Sequence, residues 1–209
     1  MIRAAAALLL AFTLGACALS EDVVPVNYIA PPDLKVVPGA SNVTVAVTGD
    51  DQRVANKDRI STKKNGYGME MAPIKAQNDL VALVRSAVEH ELSSLGFKTV
   101  EGINGDVLAK ISLDTFYCDF KVGFWSGDAV AEVAFTLKAT RPDGSLIYSR
   151  SYKGIGMNKD VMLASGGNAQ LALQNALTNA MASVVGDDDL HKALVDSAKA
   201  PKTAAAPSS

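Results

Sequence analysis

The spacing of apolar residues predicts two α-helices. In the segment NDLVALVRSAVEHELSSLGF, apolar side chains recur every three or four positions, as they do along one face of a helix. Asn78 or Asp79 can cap the start of this helix, and Gly96 can close its end. The same spacing predicts a second helix from about Asn168 to Val185. After Gly186 we expect only a short amphipathic turn, DDDLHKALVDSA.

Alternating apolar and polar residues predict strands before and after the first helix. One strand, SNVTVAV, ends at the turn Gly49-Asp50-Asp51. Three longer alternating runs follow the helix, beginning near Val107, Ala131 and Leu146, with a further short strand expected at 97–100. Residues 52–76 show no clear period. We therefore predict a long loop there, with at most one short strand around 67–71.

Together these elements predict an α+β fold. Strands that have one apolar and one polar face are typical of antiparallel sheets. Two helices with apolar stripes bury those stripes against the apolar face of such a sheet. We expect an antiparallel β-sheet with two main α-helices packed on one face, in the order β-α-β-β-β-α.

An apolar run at the N-terminus is too short to cross a bilayer. It spans Ala4 to Leu14, eleven residues, whereas a membrane-crossing helix needs about 20. Its position behind Arg3 is typical of a bacterial secretory signal. The run ends in Leu14-Gly15-Ala16-Cys17, which resembles the lipobox of bacterial lipoproteins. The resemblance implies cleavage before Cys17 and acylation of its thiol.

Acyl chains on Cys17 provide the expected membrane anchor. Two or three chains hold a protein stably, whereas a single chain binds only marginally. The residue after the cysteine is Ala18 and not Asp. In the enterobacterial sorting rule that comes with the lipobox resemblance, this implies an outer-membrane location, facing the periplasm.

The composition divides the chain into four parts. Residues 1–16 form the signal peptide, and residues 17–40 carry the lipid and four prolines, which predicts an extended tether. Residues 41–196 form one α+β domain. Residues 197–209 contain few bulky apolar side chains, and we expect them to be disordered.

The order of these features resembles the YajG-like lipoproteins of Gram-negative bacteria over roughly residues 35–196. The most specific part is VTGDDQR, residues 47–53, which is similar to the strand-ending Gly-x-Asp-x-Arg of that family. The resemblance implies an envelope lipoprotein and adds no particular reaction.

The near-neutral charge argues against a nucleic-acid partner, which would require a basic face. The chain has 20 Lys and Arg residues against 22 Asp and Glu residues. The partners that we expect are the membrane, through the acyl chains, and a protein of the envelope. A second copy of the chain is a further candidate, because open sheet edges pair readily.

Little in the sequence points to catalysis, to a metal or to a cofactor. His90-Glu91 begins like the zinc motif H-E-x-x-H, but the second ligand position is Ser94. The acidic run 187–189 beside His191 suggests either a cation site or, as we prefer, a favourable helix start. We expect no catalytic residue, no metal and no cofactor, and an envelope hydrolase is the less favoured alternative.

Asp50, Asp51 and Arg53 form the first candidate site. A carboxylate pair beside a guanidinium at a strand end can bind a polar ligand. We prefer the structural interpretation, in which Asp caps the turn and Arg pins the following loop.

The aromatic residues of DTFYCDFKVGFWSGDAV form the second candidate site. Alternation places Phe116, Cys118 and Phe120 on the polar face of their strand, and Phe124 and Trp125 at the hairpin tip. One hypothesis is an apolar patch of the four aromatic residues that docks a partner, a lipid tail or a glycan. The alternative is that the loop 54–76 or the tether covers this face, or that the tip folds back on the core. For Cys118 we favour a small buried hydrophobe over a reactive thiol.

These observations favour a lipid-anchored binding or accessory domain that acts through protein contacts. The main alternative is a carrier of lipid or of another hydrophobic envelope ligand. A carrier would need an internal cavity between the sheet and the helices.

Overall fold

The computed structural model describes residues 20–32, 35–123 and 126–199. The predicted signal peptide, Cys17 and residues 200–209 of the predicted tail lie outside the described residues. The strands are β1 Asp22–Val24, β2 Thr44–Asp51, β3 Ser61–Lys64, β4 Glu70–Ala76, β5 Lys98–Val100, β6 Val107–Val122, β7 Gly127–Thr140 and β8 Leu146–Val161. The helices are α1 Leu80–Ser94, α2 Gly166–Val185 and α3 Asp188–Lys199, with a 3₁₀ turn at Ala40–Asn42.

The main sheet has five strands in the order β5-β2-β6-β7-β8. β6, β7 and β8 are antiparallel, whereas β2 is parallel to both β5 and β6. The α+β class is confirmed, but the sheet is mixed and not antiparallel as predicted. Alternation shows which face of a strand is buried and says nothing about its direction. The long connection from β2 to β6 returns the chain in the same direction, as parallel neighbours require.

The helices α1 and α2 cover one face of this sheet. α1 packs on β2 and β6, and α2 packs across β7 and β8. Asp79 caps α1 as predicted, because its side chain accepts hydrogen bonds from the N–H groups of Val81 and Ala82. The segment predicted as a short amphipathic turn is the 12-residue helix α3.

A bulge in β6 changes which side chains face the helices. Leu113 pairs with Phe135, but Thr115 pairs with Ala134, so Asp114 is an extra residue in β6. Because side chains alternate along a strand, one extra residue moves every later side chain to the opposite face. Phe116 therefore faces the core.

A second sheet occupies the region predicted as a loop. Its order is β1-β4-β3, with β1 parallel and β3 antiparallel to β4. β3 lies beside β6 beyond the end of β2, where the Cys118 N–H donates to the Ile60 carbonyl at 2.8 Å. The prediction of a long loop at 52–76 was wrong, because strands as short as β3 show no measurable period.

The segment predicted as a tether packs on the body. β1 lies within it, and Val26 is fully buried. The Asn78 side chain exchanges two hydrogen bonds of 3.0 Å with the backbone of Val26. Farther along, the Val37 N–H donates to the Leu95 carbonyl. The folded domain therefore starts about twenty residues before the predicted boundary at residue 41.

The long strands give the domain two distinct ends. One end, the turn end, holds the β3–β4 turn (65–69) and the β8–α2 loop (162–165), together with the connection from β6 to β7. The opposite end, the α3 end, holds α3 and residues 35–40. β6 alone has 16 residues, which is about 50 Å of extended strand.

α2 lies in close contact with the backbone of β8. A Cβ atom on Gly154 would lie 2.0 Å from the Ala176 carbonyl oxygen, and one on Gly156 would lie 2.1 Å from the Ala172 carbonyl oxygen. Both alanines are fully buried. Only glycine in β8 allows the helix to approach this closely.

We predict that Gly156→Ala lowers the free energy of unfolding by about 3 kcal/mol, because the added methyl group meets helix backbone that cannot move alone. The matched control is Gly167→Ala, since nothing lies within 4 Å of a Cβ atom there. Urea denaturation of both variants measures the difference. Equal stability of the two variants would contradict the close packing of α2 on β8.

Candidate functional site

Two of the four residues of the predicted aromatic patch, Phe116 and Phe120, do not lie on the surface. Phe116 and Phe120 are only 1% and 3% exposed, because the bulge at Asp114 turns them into the core. Phe124 and Trp125 lie outside the described residues. The placement of Phe116 and Phe120 on the polar face was therefore wrong. The sequence did carry a signal of the bulge, since the apolar spacing widens to three between Leu113 and Phe116.

Cys118 is a buried thiol of the core. Burial raises the pKa of its thiol to about 12. Its backbone holds β3 in place, because its carbonyl accepts a hydrogen bond of 2.7 Å from the Ser61 hydroxyl. A thiol that stays protonated at neutral pH is a poor nucleophile.

Arg53 ties the end of β2 to the following loop. Its Nε and Nη2 atoms donate to the Asp51 carboxylate at 3.0 and 2.8 Å. The same guanidinium donates to the carbonyls of Asn56 and Lys57. Hydrogen bonding from Arg53 lowers the pKa of the Asp51 carboxyl. The guanidinium is 6% exposed and its donors are used inside the protein, which is the geometry of a loop pin.

Asp50 takes part in a separate surface network. Its carboxylate accepts from Lys110, Gln52 and Ser112, and these hydrogen bonds lower its pKa to about 2. A cleft of about 380 Å³ beside Arg53 carries charges of both signs. Its charged lining residues are Asp51, Arg53, Lys57, Asp58, Arg59, Lys75 and Asp79. Arg59 and Lys75 form ion pairs with Glu70 and Glu21, so part of the charge in the cleft is already paired.

Asp187 is the most heavily bonded carboxylate of the described residues. Its Oδ2 atom accepts from Tyr148 at 2.6 Å, Tyr152 at 2.7 Å and Arg150 at 2.8 Å. Its Oδ1 atom accepts from the Leu190 N–H, so it also caps α3. Burial alone would raise the pKa of Asp187, but these donors hold it well below its usual range. The carboxylate considered as a cation ligand therefore fastens α3 to β8.

The two histidines have structural surroundings. The ring of His90 meets the ring of Tyr28 edge-on at 6.4 Å. Burial lowers the pKa of His191, which packs beside Phe97. In the described part of the chain, no three or more His, Cys, Asp or Glu residues are grouped to hold a metal ion.

A groove of about 570 Å³ lies at the α3 end between residues 35–38 and α3. Its apolar lining residues are Val36, Val37, Pro38, Leu95, Val185 and Val195. Charges of both signs line it as well, from Lys35, Asp188, Lys192 and Asp196. His191 lines the groove at 5% exposure, and its Nε2 atom has no hydrogen-bond partner among the described residues. Sequence reasoning missed this groove, because it depends on packing between the predicted tether and α3, a segment predicted only as a short amphipathic turn.

Comparison with known families gives the identity of the chain. A family described as "Uncharacterized lipoprotein" matches residues 31–195. The chain belongs to this lipoprotein family. The resemblance to YajG-like lipoproteins is confirmed. A search of curated proteins found no match. Within the described residues, no helix is both long and apolar enough to cross a membrane.

Several solved structures are similar to this lipoprotein at low sequence identity. A Xanthomonas campestris protein is 14% identical with a TM-score of 0.57, over 83% of this chain and 96% of that one. A homologue of neuraminyllactose-binding hemagglutinin from Helicobacter pylori is 9% identical with a TM-score of 0.48, over 85% and 100%. A minor lipoprotein from Acinetobacter baumannii is 8% identical with a TM-score of 0.42, over 76% and 96%. The first of these supports the fold alone.

We predict that Asp187→Asn lowers the free energy of unfolding by about 2 kcal/mol at pH 7, because three donors lose a charged acceptor. The folded pKa of Asp187 is lowered, so its contribution is present above the unfolded value of about 3.9 and is lost as the pH falls below it. The difference from the parent protein should therefore shrink at pH 3. Urea denaturation at both pH values tests this.

The exposed neighbour Asp189 provides the control. Asp189→Asn should change the stability by about 0.5 kcal/mol or less. A constant difference between Asp187→Asn and the parent protein from pH 7 to pH 3 would contradict the assigned role of the carboxylate.

Proposed function

We propose that this protein is an outer-membrane lipoprotein without enzymatic activity, whose periplasmic body binds a protein partner through the groove at the α3 end. The main support for this proposal is the lining of the groove, which combines apolar side chains with charges of both signs. Ligand sites commonly combine an apolar lining with a few placed polar groups. The occupant is a segment of an envelope protein.

His191 supports this choice of occupant. Its Nε2 atom is buried and lacks a partner among the described residues, and a buried polar atom left unpaired costs about 1–3 kcal/mol. Because burial lowers its pKa, the ring is neutral, and such a ring has one nitrogen that accepts a hydrogen bond. The atom is itself buried, so a donor on a bound peptide would satisfy it once a small shift of the groove lining lets the peptide reach the ring.

The surroundings of the reactive side chains support a non-enzymatic role. Cys118 is buried with a raised pKa, and Asp187 is occupied by three donors. A nucleophile needs an adjacent base that is oriented by a third group. Cys118 instead lies against β3, where its neighbours are Ser61 and Ile60.

The lipid-carrier alternative is less well supported. A carrier needs room between the sheet and the helices, yet α2 meets β8 too closely to admit a methyl group at Gly154 or Gly156. Pairing of two copies through the β8 edge also has little support. The side chains of Asn175 and Asn179 donate to the Met157 and Ile155 carbonyls of that edge.

The outer-membrane location rests on the lipobox, on Ala18 and on membership of a lipoprotein family. The anchor would be the acyl chains of Cys17. The groove then belongs to a domain that stays in the periplasm while its N-terminus is held in the membrane.

We predict that a photocrosslinking residue at Val36, in the lipidated full chain in cells, captures one defined envelope protein. Val36 is 60% exposed and lines the groove. The matched control is Val54, which is fully exposed and lies outside the groove. Mass spectrometry identifies the adducts. The captured protein, once purified, should bind Val36→Glu about tenfold more weakly than the parent protein, and Val54→Glu equally well.

Two results would overturn the proposed function. One is an identical adduct pattern from the two positions. The other is a crosslink from position 36 to the C-terminal tail of the same chain, which would assign the groove to that tail.

A further inference from the structure

Two turns at the turn end expose large apolar side chains. In the β3–β4 turn, Tyr67 is 91% exposed and Met69 is 58% exposed. In the β8–α2 loop, Met162 is 79% exposed and Leu163 is 74% exposed. Exposed apolar side chains in such a concentration mark contact surfaces more often than chance.

The β3–β4 turn holds its apolar residues in place. The Asn65 side chain accepts hydrogen bonds of 3.0 Å from the N–H groups of both Tyr67 and Met69. The Asn65 carbonyl also accepts from Gly68, which has a positive φ of 80°. The tip of the turn is thus ordered by its own backbone contacts, with the two side chains left in solvent.

Asp22 joins the two turns. Its carboxylate forms an ion pair of 2.8 Å with Lys63, which lies in β3 near the β3–β4 turn. It also accepts a hydrogen bond of 2.8 Å from the N–H of Gly166, which follows the β8–α2 loop. The chain at Asp22 therefore lies between the two apolar turns.

The chain before β1 runs toward the same end. β1 is parallel to β4, and β4 starts at the turn end, so the residues before Asp22 run toward that end. Ser20 is the first described residue, and it lies three positions after Cys17 in the sequence. Three residues reach at most about 11 Å. The acyl chains therefore enter the membrane close to the two turns.

We propose that the turn end is a bilayer-contact surface, at which Tyr67, Met69, Met162 and Leu163 enter the interfacial region of the membrane that holds the acyl chains of Cys17. Tyrosine suits this region, because its ring is apolar and its hydroxyl reaches water. Methionine adapts to irregular apolar surroundings. This contact orients the long strands away from the membrane, so that the α3 end faces the periplasm. It rests on the lipid anchor of the proposed function and is independent of the groove.

Apolar contact, and not charge, drives this docking. Several cations near the turn end are paired within the protein, as Lys63 is with Asp22, and Lys64 and Lys121 are with Asp119. Salt screens attraction between exposed charges but leaves apolar burial in place. The contact should therefore persist at high salt.

The test uses the lipidated full chain in vesicles of phosphatidylethanolamine with a minority of phosphatidylglycerol. A solvent-sensitive NBD fluorophore is attached to Tyr67→Cys or Leu163→Cys, with Leu146→Cys as the matched control. Leu146 is also apolar and exposed, but it lies at the start of β8, at the opposite end. Cys118 is fully buried and stays unlabelled in the folded protein. Melting curves confirm that each labelled protein is folded.

We expect the fluorescence emission of the NBD labels at positions 67 and 163 to shift to shorter wavelengths in the presence of the vesicles. A nitroxide on the lipid acyl chains should quench them several-fold more than the label at position 146, at low and at high salt.

Equal quenching at the three positions, in protein that floats with the vesicles, would overturn the bilayer contact. The proposed binding of a partner in the groove would not be affected by that result. Protein that does not float would overturn the anchor and the contact together. Self-quenching between labels at position 163 that requires no lipid would assign the surface to a second copy.

Discussion

The close contact between α2 and β8 is the constraint on which the arrangement of this lipoprotein depends. Gly154 and Gly156 let the helix lie on the strand backbone with no side chain between them. α2 runs antiparallel to β8, so it starts at the turn end and finishes at the α3 end. The same contact places Gly166 beside Asp22 at one end and Asp187 beside Tyr152 at the other. The position of α2 on β8 therefore determines the contacts at both ends of the domain.

The N-terminal segment gives these two ends different roles. It starts at the turn end as β1, contacts Asn78 just before α1 and Glu91 within α1, and reaches the α3 end at residues 35–40. One piece of chain thus begins beside the predicted lipid site and later forms a wall of the groove. Because this segment packs on the body, a lipid anchor at Cys17 would act on a fixed position of the domain. A loose tether would leave the orientation of the groove free.

Much of the fold could be predicted from the sequence, because long amphipathic elements carry their own period. α1, α2 and the three long strands are of this kind, and Asp79 marked the start of α1. Three features escaped prediction. Strand direction is set by connections and not by alternation, so the parallel pairing of β2 could not be foreseen. The bulge at Asp114 moved Phe116 into the core, and strands as short as β1 have too few residues to show a pattern.

The central claim is that the turn end of the domain contacts the membrane and that the groove faces the periplasm. Its most direct test is the height of the α3 end above the bilayer, measured by energy transfer from a donor at Lys192→Cys to acceptors on the lipid headgroups. α2 runs from the turn end to the α3 end and its 20 residues span about 30 Å, which predicts a separation of about 30 Å or more. A donor at the level of the lipid headgroups would contradict the account, because the domain would then lie flat on the membrane or face it with the groove.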